Sequence, residues 1–163
     1  MNTKKASLPL TIHEPVKKSQ IQKHASILIP IFENKGEIFM ILTKRSVNLR
    51  SHAGEVAFPG GKEDKKDTNS LETVFREVYE EIGLSSDKIE ILGSLDQILS
   101  LHRYIVTPFV GIIPKDFLPT PNEDEIEEVF KVPLSFFING ENHWAEEYKT
   151  PRTNILIHHF EFG

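Results

Sequence analysis

No cysteine occurs among the 163 residues, and there is only one tryptophan and two methionines. The missing cysteines remove a disulfide framework and a thiol nucleophile together, so neither a crosslinked small fold nor cysteine-based catalysis is open to this chain. Long hydrophobic runs are lacking as well. No apolar stretch approaches the roughly 20 residues that a membrane-spanning helix needs, and the first residues, Met1 to His24, lack the apolar segment of a signal peptide. Positive charge is in deficit, with 19 Lys and Arg against 24 Asp and Glu and a formal net charge of −5. A field of that sign discourages generic binding to nucleic acid or to an anionic membrane, so an anionic ligand has to be met locally, by a few cations or by a metal ion. The expectation is a soluble protein, cytoplasmic, with no nucleic-acid partner and no membrane partner.

What is present suits one globular domain: 39% of residues are hydrophobic, enough for a single core at this length. Residues 1–24 are polar, carry Pro9, Pro15 and five lysines, and read as an arm that is partly ordered at best, with the domain spanning 25–163. Ala25–Phe32 and Glu37–Thr43 are β-rich runs joined by an Asn-Lys-Gly tip that suits a hairpin. Val47–Gly54 reads as a loop and Glu55–Phe58 as a short strand leading to the double glycine, itself expected as a turn. A helix is expected from about Asn69 to Ile82, capped by Gly83. Strands follow at Ile89–Leu99 and Tyr104–Ile113, another runs toward Val132, a short helix opens at Pro133, and a last strand covers Asn154–Phe162. One dominant helix between groups of strands indicates an α/β fold with a mixed β-sheet between helical layers.

The most informative stretch runs from Gly60 to Leu84. On the expected helix, Leu71, Val74, Phe75, Val78 and Ile82 recur at spacings of three and four, while Glu77, Glu80 and Glu81 share a polar stripe. Glutamates so spaced repel one another at a cost of a few tenths of a kcal/mol per pair. Scaffolding does not call for them, but a hard divalent cation does, because Mg²⁺ and Mn²⁺ prefer oxygen ligands and keep waters that a phosphate oxygen can displace.

Arg76-Glu77-Val78-Tyr79-Glu80-Glu81-Ile82-Gly83-Leu84 matches the second half of the Nudix box, Gly-x5-Glu-x7-Arg-Glu-U-x-Glu-Glu-x-Gly-U with U aliphatic, and the chain resembles a Nudix hydrolase. One departure lies in the first half: six residues beyond Gly61 stands Asp67, not Glu, and eight residues separate it from Arg76. Upstream, Leu42-Thr43-Lys44-Arg45-Ser46, Arg50, Gly54 and Phe58-Pro59-Gly60-Gly61 stand at the spacing of the coenzyme A diphosphatase branch, whose box carries the same extra residue. Weaker likeness covers Thr107 to Gly111, Glu125 and Val129 to Leu134.

This resemblance implies an α/β/α sandwich with a catalytic loop-helix-loop, and divalent-metal-dependent hydrolysis of the diphosphate of coenzyme A or its acyl thioesters with Mg²⁺ or Mn²⁺. It implies Glu77 and Glu81 as principal metal ligands with Glu80 joining them, and Glu80 or Glu125 as general base. Arg76 is expected to pin a carboxylate beside the catalytic groups. Arg45 and Arg50 are the expected holders of substrate phosphates, helped by the backbone of Gly60 and Gly61, with Lys44, Lys62 and His52 as supplementary candidates. Other nucleoside diphosphate derivatives such as ADP-ribose, or a non-hydrolytic nucleotide sensor, are the alternatives. The branch's pattern continues past Phe160-Glu161-Phe162, so the chain is expected to be shortened at its C-terminal end, and a peroxisomal address is the alternative localisation.

Overall fold

The computed structural model describes residues 4–8, 23–49, 52–100, 103–140, 142–149 and 154–162. Its centre is β2 (Lys23–Asn34), which turns into β3 (Glu37–Arg45) through Lys35 and Gly36, both at positive φ (55° and 82°) as a two-residue hairpin turn requires. The short strands β4 (Val56–Ala57) and β5 (Gly60–Lys62) follow, then helix α1 (Ser70–Ile82), β6 (Glu90–Ser94), β7 (Ile98–Leu99), β8 (Tyr104–Ile112), β9 (Ile126–Pro133) and helix α2 (Leu134–Asn139). The parallel pairing of β2 with β8, among otherwise antiparallel ladders, makes the sheet mixed. A second, three-stranded sheet has the order β1 (Lys4–Leu8), β11 (Asn154–Phe162), β10 (His143–Lys149).

The layers follow from the alternation of side chains along β2. Leu28 and Phe32 point to one face and pack with Val74, Val78 and Ile82 of α1. Ile29 and Ile31 point to the other, into a cluster of Met40, Leu42, Val56 and Val132 with Leu134, Phe136 and Phe137 at α2. Each helix covers one face, and the α/β expectation holds. Helix α1 starts where the sequence signals it: the Asn69 side chain accepts the N–H groups of Leu71 and Glu72, both at 3.0 Å, while Glu72 takes the N–H of Thr68 at 2.8 Å. It ends at Gly83, φ 72°, whose N–H reaches the Tyr79 carbonyl.

Several expectations differ. Part of the polar arm is strand: Lys4–Leu8 pairs antiparallel with β11, and β2 begins at Lys23. The stretch Ile89–Leu99 is two strands, because the ladder with β8 is interrupted after Ser94. The double glycine is not a turn but strand β5, laddered on β2 with Gly60 opposite Ile27 and Gly61 opposite Ser26. Trp144 is 36% exposed and stacks on His159 across the β10–β11 ladder. Among the described residues, no helix is long and apolar enough to cross a membrane.

Candidate active site

Strand β5 lies against the outer half of α1, and its two glycines are needed for different reasons. At Gly60, φ 145°, a Cβ would run into the Ser26 carbonyl and the Ile27 Cα across the ladder, so no side chain fits. At Gly61 a Cβ would occupy the place of the Glu77 carboxylate. Stripped of side chains, the strand lets the acidic face of α1 settle directly on its backbone, and the Gly60 N–H donates to Glu81 Oε2 at 2.9 Å.

Arg76 holds the loop between β5 and α1. Its Nε and Nη2 fork onto Asp67 at 3.0 and 2.8 Å, Nη2 also donates to the Lys62 carbonyl at 2.9 Å, and Nη1 reaches Glu77 at 2.8 Å and Glu80 at 3.2 Å. A guanidinium has five N–H donors, and all are taken by protein acceptors. Arg76 thus spends its donors on protein acceptors and leaves none for a substrate. The departure at Asp67 finds its reason here: the extra loop residue brings a side chain one methylene shorter within bidentate reach. Charge pairing with Arg76 holds the Asp67 carboxyl well below the usual range and pushes the arginine's own pKa up.

Glu81 is buried, with 3% of its surface exposed. Burial pushes its pKa up to about 7, with help from the charges of Glu77 and Glu125 and against the opposing pull of the Gly60 N–H and Arg45. Burial also raises Glu77, the adjacent Arg76 lowers it, and the charges of Glu80 and Glu125 raise it. The nearby cation, Arg45, lies 3.5 Å from Glu81 through Nη1, a long contact, and its Nε is buried without a hydrogen-bond partner. An anionic oxygen cluster this under-compensated suits a hard divalent cation. Among the described residues no group of three His, Cys, Asp or Glu side chains is arranged to hold a metal ion.

Of the expected residues, Glu77 and Glu81 come together on β5, with Arg45 beside them. Glu80 lies at the rim: its side chain is 54% exposed and accepts from the same Arg76 Nη1 as Glu77. Arg50 lies outside the described residues. Lys44 is paired with Glu127 at 2.6 Å and His52 with Glu55 at 2.6 Å, which keeps both in local contacts. Glu125 is brought in by backbone bonds that no side-chain pattern announces. Asn122 N–H donates to the Glu81 carbonyl at 3.0 Å, Thr120 N–H to the Ile82 carbonyl at 2.9 Å, and Ser46 N–H to the Glu125 carbonyl at 2.8 Å. These tie the 120–125 loop to the end of α1 and the end of β3 at once. Asp67, read from the sequence as a departure from the general Nudix box that fits the branch, is the partner of Arg76 that reading did not name; an acid set beyond a double glycine and ahead of an Arg-Glu helix was its signal.

A mixed sheet between helices, with a loop-helix-loop that sets glutamates on a bare glycine strand, defines the Nudix class of fold. The chain belongs to the Nudix family: the NUDIX domain model matches residues 22–151. It is 41% identical over 143 residues to Nudix hydrolase 15, mitochondrial, of Arabidopsis thaliana, covering 86% of this chain and 50% of that protein. It is 35% identical over 137 residues to the peroxisomal coenzyme A diphosphatase NUDT7 of Mus musculus, covering 84% and 58%. The chain thus spans about half the length of the curated relatives it matches. Among solved structures it resembles the Nudix hydrolase RenU of M. smegmatis, with a TM-score of 0.60 at 15% identity, covering 72% of this chain and 74% of that one, a likeness of fold.

Proposed function

We propose that the protein hydrolyses the diphosphate of coenzyme A or its acyl thioesters, with Mg²⁺ or Mn²⁺, to 3′,5′-ADP and 4′-phosphopantetheine or its acyl form. Water attacks one phosphorus, the bridging P–O bond breaks, and the bridging oxygen leaves on the other phosphate. The observation that carries the reading is the seating of Glu77 and Glu81 on the bare Gly60–Gly61 strand beside Arg45. When bound there, a divalent ion supplies charge neutralisation of the diphosphate oxygens and a more acidic water.

Glu77 and Glu81 would hold that ion, oriented by Arg76 and by the Gly60 N–H. Arg45, whose buried Nε lacks a partner, is suited to take a phosphate oxygen through the donors that its long contact with Glu81 leaves over. Of the two candidates for the base, Glu125 is favoured over Glu80: backbone bonds from Thr120 and Asn122 tie its loop to the end of α1, whereas the exposed Glu80 is paired with Arg76. Support for the substrate comes from the Leu42–Gly61 signature and from the relative named as a coenzyme A diphosphatase.

The test is incubation with coenzyme A and Mg²⁺, product identification by mass, and repetition with ADP-ribose and dinucleoside polyphosphates. Cleavage of coenzyme A ahead of the others supports the reading. Preference for another diphosphate, or none cleaved, overturns it.

A further inference from the structure

The parallel ladder of β2 with β8 sets Lys23 opposite Tyr104, and the antiparallel ladder of β2 with β5 sets Lys62 opposite Ala25. Lys23 and Ala25 lie two apart on β2, so Lys23, Tyr104 and Lys62 emerge on one side of the sheet, where three strand ends meet. Both ammonium groups stand 5.6 Å from the centroid of the Tyr104 ring. Among the described residues neither lysine forms an ion pair with a carboxylate.

The ring attracts each ammonium, while the two like charges repel one another, a repulsion that an anion between them relieves. They line an open hollow of about 420 Å³, shared with Lys65, Glu63, Asp64 and Asp67. Its lining holds three lysines and three carboxylates, of which Asp67 is already engaged by Arg76. It also adjoins the reactive groups: Lys62 follows Gly61, which underlies Glu77, and its carbonyl accepts from Arg76 at 2.9 Å.

We propose that Lys23 and Lys62, gathered on Tyr104, form the subsite for a second phosphate on the nucleoside, the monoester that sets coenzyme A apart from diphosphates otherwise like it. This rests on the substrate reading above and assigns its specificity to two lysines, Lys23 ahead of the Nudix box and Lys62 at one of its unspecified positions. Ammonium groups serve as point-charge phosphate binders, and Arg45 remains for the diphosphate.

The test compares coenzyme A with 3′-dephospho-coenzyme A in the Lys23→Ala/Lys62→Ala variant. For coenzyme A, KM should rise roughly tenfold with kcat little changed, and KM for the dephospho compound should not move. Lys23→Arg/Lys62→Arg should restore discrimination, and circular dichroism checks folding. An equal effect on both compounds, or on neither, overturns the subsite. If the wild-type protein cleaves neither compound, the substrate reading fails, and binding of 3′,5′-ADP against 5′-AMP by calorimetry still decides the subsite. Tighter binding of 3′,5′-ADP that the double alanine variant loses supports it, and equal binding sinks it.

Discussion

Glu81 shows why one residue can report on the whole site. A folded-state pKa near 7, above the ordinary 4.5, means that the folded protein binds more protons than the unfolded one between those values. Without divalent ion, this group's contribution to stability is present below about pH 4.5 and is lost as pH rises through about 7. Glu81→Gln, a mimic of the protonated acid, should melt above wild type at pH 8 without metal, with the gap closing toward pH 5. The same variant should lose the Mg²⁺-dependent gain in Tm, which in wild type grows with pH over that window, and should lose about 10²-fold or more in turnover. Thermal scans across pH with and without Mg²⁺ check all three; a wild-type gain that is flat with pH would contradict the assignment. Asp67 runs the other way. Its pKa is depressed in the folded state, so its contribution is present above the unfolded value and is lost as pH falls through the folded one. Asp67→Asn should therefore destabilise at neutral pH and flatten the acid limb of the stability curve. Glu125→Gln should cut kcat by 10²-fold or more, and Glu80→Gln by much less, if Glu125 serves as the base.

The unit formed by β5 and α1 separates two roles that adjacent glycines would otherwise blur. Gly60→Ala drives a methyl group into the backbone of Ser26 and Ile27 and should cost roughly 3 kcal/mol of stability. Gly61→Ala meets the end of a flexible side chain, Glu77, so the fold should survive while kcat/KM falls about 10²-fold from a displaced carboxylate. Urea denaturation alongside kinetics distinguishes them, and equal loss of stability in both would refute the division. The caps are simpler: Asn69→Ala should cost about 1 kcal/mol. Helix α1 was legible to within a residue at each end because its caps and apolar spacing are local signals. Strand β5 was not, since Gly-Gly carries no strand propensity and its ladder is dictated by β2, more than thirty positions earlier in the chain.

Over the whole molecule the sheet separates two apolar clusters, one under α1 and one under α2. Leu28 belongs to the first and Leu42 to the second, exposed by 0% and 1%. Each Leu→Ala change should cost roughly 3 kcal/mol, and the double change should sum to within about 0.5 kcal/mol because the two side chains share no cluster. Strong coupling in that cycle would show that the faces are not independent.

By itself the sequence determined which residues could be acidic ligands, where their helix begins and ends, and that the fold is α/β, because caps, periodicity and glycine content act over a few residues. Only the tertiary structure decided that Glu81 is buried while Glu80 is exposed, that Arg76 spends every donor on protein, and that the loop carrying Glu125 is tied to the end of α1. Those outcomes depend on strand register and on backbone bonds between segments distant in the chain, and no local run of residues encodes them.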